Sequence, residues 1–452
     1  MKKYRFLSAL FALVLLTGLL VPFSVCAADA PEVTARHALL VDANYGEVLY
    51  EKESRSKAYP ASITKVMTAL LVCEAIQRGE LSRQQMITAS VTAMEGLHPD
   101  GSTANIAAGE VMSVEDLLYC LMLPSANEAA NILAEAVSGD VATFVAEMNR
   151  RALELGCLGT HFENPHGLHA DGHYTTAYDI YLFLKAALEQ PLFREVVYTS
   201  VHEVPATNLS AARTLYNSNG LVSQWRYKGY RYDKCIGGKT GTTGEAGSCL
   251  AAAAVDGDEY LISVVLGASA VLDDRGYVLD RPQFSESAAL LKWGFKNFRR
   301  TTISKGDAPV AQVAVTLSQE ADCVMVKPVG EFSRTLPVDM DMDDIQSAVA
   351  LFQESIEAPV EEGQVLGTMT LSYGDEVYGT LDLVAVNRVE RSEFLYRQAQ
   401  IEAFFRQSGT QVAIAAGLIL AGIVLLRLAL FRKRRRPVSA GHRGRYSGKN
   451  RP

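Results

Sequence analysis

The chain has 452 residues, 48% of them hydrophobic and 21% charged, with a formal net charge of −8. That balance excludes a disordered or collagen-like chain and leaves enough apolar surface for two or more buried cores. The charge is unevenly spread: the first 28 residues carry three bases and no acid, the residues from Val412 onward carry ten bases and no acid, and the part between carries −21, which argues against a nucleic-acid partner.

Lys2, Lys3 and Arg5 precede the apolar run Phe6–Val21, and small residues follow at Ala27, Ala28 and Ala30. This reads as a signal peptide over 1–28, so the mature chain is expected to be exported. Phe23-Ser24-Val25 before Cys26 lacks the small residues of a lipoprotein signal. Ala35–Val41 and Glu47–Tyr50 flank Asp42-Ala43-Asn44-Tyr45-Gly46, the pattern of a hairpin. Then comes Tyr59-Pro60-Ala61-Ser62-Ile63-Thr64-Lys65, after which Ile63, Val66, Met67, Leu70, Leu71 and Ile76 recur at helical spacing. The spacing predicts an amphipathic helix facing a core, with Ser62 in its first turn.

Ser113-Val114-Glu115-Asp116 resembles a capping box and opens a helix to about Leu123, where Pro124 stops it. Ser125-Ala126-Asn127 follows, then an apolar helix to about Val137 and another over Asp140–Leu155. A loop rich in Gly and His, Cys157–Tyr174, leads to a helix capped near Thr176. Lys239-Thr240-Gly241 falls at the end of an expected strand, before strands at Cys249–Val255 and Tyr260–Gly267 and a helix at about Phe284–Phe298. Residues 31–300 thus read as a mixed α/β domain.

From 301 to 387 the pattern changes to short β-branched segments separated by Gly, Pro and Asp, with strands at Val310–Val315, Val324–Lys327, Gly367–Ser372 and Gly379–Ala385, a small all-β domain. Residues 388–410 read as a helical stalk. Residues 411–431 read as a single transmembrane helix, apolar over Val412–Phe431 except for Arg427, and five consecutive bases begin the cytoplasmic tail 432–452. The six cysteines beyond the signal, Cys73, Cys120, Cys157, Cys235, Cys249 and Cys323, are widely spaced and are expected to be mostly free buried thiols.

Ser62 and Lys65, three residues apart on a helix, are neighbours. A serine hydroxyl needs a base to become a nucleophile, and a lysine amine kept neutral within hydrogen-bond reach supplies one. Chance alone supplies about two S-x-x-K matches in a chain of this length, and one such match, Ser54–Lys57, lies in a charged turn without apolar periodicity. What raises Ser62-x-x-Lys65 above chance is the single occurrence downstream of Ser125-x-Asn127 and of Lys239-Thr240-Gly241, in that order.

With these motifs, with Asn164-Pro165-His166-Gly167-Leu168 and with Ala246-Gly247-Ser248-Cys249-Leu250, the chain from about Ala35 to the stalk resembles the D-alanyl-D-alanine carboxypeptidases, serine-type penicillin-binding proteins of low molecular mass. The resemblance implies a penicillin-recognising, β-lactamase-like domain with a mixed helix and antiparallel-sheet core, followed by a β-rich domain. It implies Ser62 as acyl-ester nucleophile, Lys65 as base and Ser125 as proton relay. It also implies substrate binding by Asn127, Lys239, Thr240, Gly241, Thr242 and Arg281, with no cofactor or metal. Arg275 is an alternative to Arg281, because the loop Ala270–Asp280 is long for the family. The implied partners are peptidoglycan stem peptides ending in D-Ala-D-Ala, β-lactams as inhibitors, and the membrane.

Competing readings come from the same residues. Ser125 after Pro124 also suits a helix cap, and Lys239 an edge-strand charge. His161, His166, His169 and His173, with Glu163 and Asp171, raise a metal site, which the resemblance does not require. A serine β-lactamase shares the three motifs but needs a Glu-held water for deacylation, and no Glu within Glu154–Asp179 has the expected downstream Asn. A non-catalytic sensor of peptidoglycan termini is the reading from another class.

Overall fold

The computed structural model describes residues 30–433, so the predicted signal peptide and the tail beyond Lys433 lie outside the described residues. The chain divides into two units. One runs to Thr302 and includes Ser333–Asp341; the other comprises Ile303–Phe332 and the chain from Met342 onward. The return of Ser333–Asp341 to the first unit, where Arg334 pairs with Glu47, has no signal in the sequence.

The first unit is built on a five-stranded antiparallel sheet. Its strands are β1 (His37–Asp42), β2 (Val48–Lys52), β3 (Cys235–Thr243), β4 (Gly247–Asp256) and β5 (Glu259–Ala268), in the order β2-β1-β5-β4-β3. Alternate residues of the central strands feed opposite cores. Leu39, Val41, Ala251, Ala253, Ile262 and Val264 join the helices on one face. Ala38, Leu40, Leu250, Ala252, Leu261 and Val265 pack on the other, against Phe284, Leu290, Leu291 and Trp293 of the helix Pro282–Asn297. Burial on both faces is why these strands read as unbroken apolar runs, a pattern otherwise typical of parallel sheets.

The helix after Ser62 departs from expectation in two ways. It is preceded by a 3₁₀ turn, Ala61–Thr64, and α1 proper is Lys65–Gln77. It is also not amphipathic: Val66 through Cys73 are all buried, so α1 is the central helix of the larger core. Apolar residues at helical spacing are what the sequence displays, but here the remaining positions, such as Thr68 and Ala69, are small enough to be buried too.

Other starts follow their caps. Ser113 accepts from the Asp116 N–H at 3.0 Å and opens α2 (Val114–Met122). Asn127–Ser138 forms α3, Asp140 caps α4 (Val141–Glu154), and Thr176 caps α5 (Ala177–Glu189). The helix Pro191–Tyr198 and the hairpin Val201–Val204 with Arg213–Tyr216 were not legible beforehand.

The second unit carries a six-stranded sheet whose strands, in spatial order, are Gln346–Leu351, Val365–Tyr373, Glu376–Ala385, Cys323–Pro328, Ala311–Thr316 and Ser355–Glu357. Its core holds Val313, Val315, Val324, Val326, Met369, Leu371 and Leu383. Gln346–Leu351 escaped the sequence reading because it is exposed over Gln346–Ala350 and shows no buried face there. Glu393–Arg406 and then Ser408–Lys433 are helical, and Ser408–Phe431 is long and apolar enough to cross a membrane. The six cysteines are unpaired, and all but Cys323 are buried.

Candidate active site

The 3₁₀ turn and the start of α1 put Ser62 and Lys65 side by side, with Lys65 Nζ 3.0 Å from Ser62 Oγ. The lysine is fully buried. Its amine donates to Asn127 Oδ1 at 2.7 Å and to the backbone carbonyl of His166 at 2.6 Å. A neutral amine has two N–H groups and one lone pair, so two carbonyl acceptors leave the lone pair for the Ser62 hydroxyl. Burial, aided by the charge of Lys239, holds Lys65 well below the ordinary amine range, opposed only by Glu128.

α3 brings Asn127 and its neighbour Glu128. The Glu128 carboxylate accepts from Thr103 Oγ1 at 2.6 Å and from the Ala104 N–H at 2.8 Å, tying the helix start to the loop before α2. Ser125 is not a cap: α3 begins after Ala126 without a side-chain cap. Ser125 instead holds a left-handed backbone (φ 71°), and its buried hydroxyl has no hydrogen-bond partner among the described residues. A strained residue with an orphan hydroxyl is the signature of a group kept for a ligand.

Lys239, Thr240, Gly241 and Thr242 lie on β3, the free edge of the sheet, in the middle of that strand instead of at its end. Lys239 is 1% exposed, which overturns the solvated edge-charge reading. Burial, then the charge of Arg226, pushes it down to about 7. Thr240 Oγ1 is 2.7 Å from Ser218 Oγ. Gly241 is required by approach: a Cβ there would stand 2.8 Å from the Pro60 carbonyl oxygen and 3.1 Å from the Ser62 nitrogen. The strand edge therefore lies directly against the Ser62 turn.

The loop Asn164–Leu168 closes the site from below. Thr68 Oγ1 donates to the Pro165 carbonyl at 2.6 Å, and the His166 carbonyl holds Lys65. The histidines of this loop are each engaged locally. His161 Nδ1 lies 2.7 Å from the Gly172 carbonyl, His166 Nδ1 accepts from the Leu168 N–H, and His169 packs edge-on against Tyr59. The other S-x-x-K is also accounted for: Ser54 Oγ donates to Glu51, and Lys57 lies over the Tyr174 ring.

Arg281 and Arg275 are not hydrogen-bonded to this group among the described residues. The Arg281 guanidinium stacks on Tyr227, 4.6 Å from the ring centre, and Arg275 is exposed in the hairpin loop between Val271–Leu272 and Val278–Asp280. Sequence reasoning missed the His166 carbonyl, Ser218 and Arg226. A backbone carbonyl leaves no trace in residue identity, and neither Asn217-Ser218-Asn219 nor Trp225-Arg226-Tyr227 stands out by spacing.

Residues 24–270 match the family described as D-alanyl-D-alanine carboxypeptidase, and residues 298–391 match the penicillin-binding protein 5 C-terminal domain. Among curated relatives, the chain is 30% identical over 364 residues to the D-alanyl-D-alanine carboxypeptidase DacF of Bacillus subtilis (strain 168), covering 80% of this chain and 87% of that protein. It is 31% identical over 377 residues to DacC of Escherichia coli (strain K12), covering 82% and 88%. Among solved structures, penicillin binding protein 5 from Haemophilus influenzae superposes with a TM-score of 0.64 at 27% identity, over 80% of this chain and 100% of that one. With a family match over more than half its length and relatives of this extent, the chain belongs to the D-alanyl-D-alanine carboxypeptidases.

Proposed function

We propose that this chain removes the terminal D-alanine from peptidoglycan stem peptides ending in D-Ala-D-Ala, through an acyl-enzyme on Ser62, and that β-lactams acylate the same serine. Ser62 Oγ attacks the carbonyl joining the last two D-alanines while Lys65 Nζ takes its proton. Backbone N–H groups of Ser62 and Thr242 receive the oxyanion. The C–N bond then breaks, Ser125 relays a proton to the departing amine, and water hydrolyses the ester. Asn127 has given its carbonyl oxygen to Lys65, which leaves its amide N–H groups for the substrate backbone. Lys239 and Thr240 take the terminal carboxylate, with Arg281 or Arg275 as further cations, and Gly241 lets the strand come close enough for both.

The observation that supports this reading most is the proton count at Lys65: a buried amine with two carbonyl acceptors and one remaining direction, aimed at the Ser62 hydroxyl. The test is release of D-alanine from a peptide ending in D-Ala-D-Ala, together with formation of a covalent penicillin adduct. Both are expected in the wild type and absent in Ser62→Ala. No D-alanine release by the wild type overturns the reading, and rapid penicillin turnover in place of a long-lived adduct indicates a β-lactamase.

The placement that fits this chemistry is extracytoplasmic, with the chain exported by its N-terminal signal and held by Ser408–Phe431 as a single span. The acidic part between the basic ends then faces outward.

A further inference from the structure

His173 is buried beneath the Ser62 turn, and its proton assignment follows from its partners. The Glu163 N–H donates to His173 Nδ1 at 3.1 Å, so Nδ1 carries no hydrogen. On the other side, His173 Nε2 is 2.8 Å from Thr64 Oγ1. The Thr64 hydroxyl has one hydrogen and donates it to the Ala61 carbonyl at 2.8 Å. His173 Nε2–H must therefore be the donor to Thr64. One directed chain runs from the Glu163 amide through His173 and Thr64 to the Ala61 carbonyl.

That carbonyl matters because of what it is bonded to. The Ala61 C=O and the Ser62 N–H belong to one planar trans peptide and point in opposite directions. Ala61 is a left-handed residue (φ 46°), a conformation that strains a non-glycine residue and persists only when its surroundings hold it. Gly167 presses on the same carbonyl: a Cβ at 167 would lie 1.9 Å from Ala61 oxygen. The carbonyl is thus clamped on one side, and on the other the Ser62 nitrogen faces the β3 edge at Gly241.

We propose that His173 is a positioning residue: through Thr64 it fixes the Ala61–Ser62 peptide plane, and so aims the Ser62 N–H at the oxyanion. The inference rests on the reading of Ser62 as nucleophile. An interaction that aims an oxyanion donor acts in the transition state, so its loss lowers kcat and the rate of acylation while leaving KM in place.

The experiment compares D-alanine release and acylation by a fluorescent penicillin in four variants of the full chain. Removing an oxyanion donor costs 10²–10³-fold elsewhere, and mis-aiming one costs less, about 10- to 100-fold. His173→Asn keeps an acceptor near Glu163 but cannot reach Thr64, so kcat and acylation are expected to fall by that factor with KM unchanged. Thr64→Val, which is isosteric, is expected to fall equally, and the double variant no further, because the two act in one chain. His173→Gln places an amide N–H near the Nε2 position and is expected to restore most of the rate.

Additive losses, a Gln variant as impaired as the Asn variant, or an Asn variant that acylates like wild type each overturn the proposal. If His173→Asn does not fold, Thr64→Ser against Thr64→Val decides the same question, since only the serine keeps the hydroxyl. A wild type that forms no penicillin adduct overturns the serine reading itself, a different outcome from a wild type that acylates and is matched by its Asn variant.

Discussion

At the residue scale, the site consists of groups whose folded environment is unfavourable unless chemistry uses it. Lys65 and Lys239 are amines with no ion-pair partner among the described residues, held away from their ordinary charge by burial. Ser125 is the sharpest case, because its hydroxyl bonds to nothing in the described protein. Removing an unpartnered buried hydroxyl costs no internal hydrogen bond. Ser125→Ala is therefore expected to leave the melting temperature unchanged or slightly raised while D-alanine release falls about 10²- to 10³-fold, the range for losing a proton-transfer group; thermal melts and single-turnover kinetics check this. The histidines make a pH statement. Burial pushes His173 down to about 4 and His166 to about 3, both below the unfolded value near 6.5. A group with a depressed folded pKa stabilises the fold fully above 6.5 and loses that contribution as pH falls toward 4, where the unfolded chain binds the proton first. Urea midpoints are expected to decline between pH 6.5 and 4, by the equivalent of about 3 kcal/mol for His173, with a shallower decline in His173→Gln.

At the element scale, the central helix and the edge strand determine the site. α1 carries Lys65 at its first position and is buried all round over Lys65–Cys73, so the nucleophile's turn is anchored in the larger core. On an amphipathic helix one face tolerates truncation; here both are expected to respond. Leu70→Ala and Val72→Ala, roughly half a turn apart, are expected to destabilise by about 3 and about 2 kcal/mol, measured by chemical denaturation. A negligible effect at either position would restore the one-faced picture that the apolar spacing suggests. β3, as the edge of the antiparallel sheet, has no strand on its outer side among the described residues, and that free edge is what lies against Ser62 through Gly241. An interior strand would have its backbone groups engaged on both sides and none to offer a substrate.

At the scale of the whole molecule, the two units divide the labour unevenly. The first holds every residue assigned to the chemistry; the second is a sheet with its own core and ends in the helices Glu393–Arg406 and Ser408–Lys433. If Ser408–Phe431 is the anchor and no part of the site, deleting residues 408–452 is expected to move the protein from the membrane to the soluble fraction. kcat/KM on a soluble D-Ala-D-Ala peptide is expected to stay within about twofold of wild type, since no group that makes contact in the transition state is lost. Fractionation and steady-state kinetics on both forms check it, and a truncated form that stays with the membrane would sink the anchor reading.

The sequence by itself determined the parts whose chemistry resides in side-chain identity and local spacing. Ser62-x-x-Lys65, Ser125-x-Asn127 and Lys239-Thr240-Gly241 could be picked out because nucleophile, base and cation are residue types, and the caps at Ser113 and Thr176 because capping is local. Only the tertiary structure decided what depends on the backbone and on distant segments. The His166 carbonyl that accepts from Lys65, the left-handed Ala61, the link from His173 to Thr64 and the pairing of Arg334 with Glu47 join residues far apart in the chain or use groups every residue possesses. Such features carry no compositional mark, because any residue offers a carbonyl and only folding brings the chosen one within 3 Å of an amine.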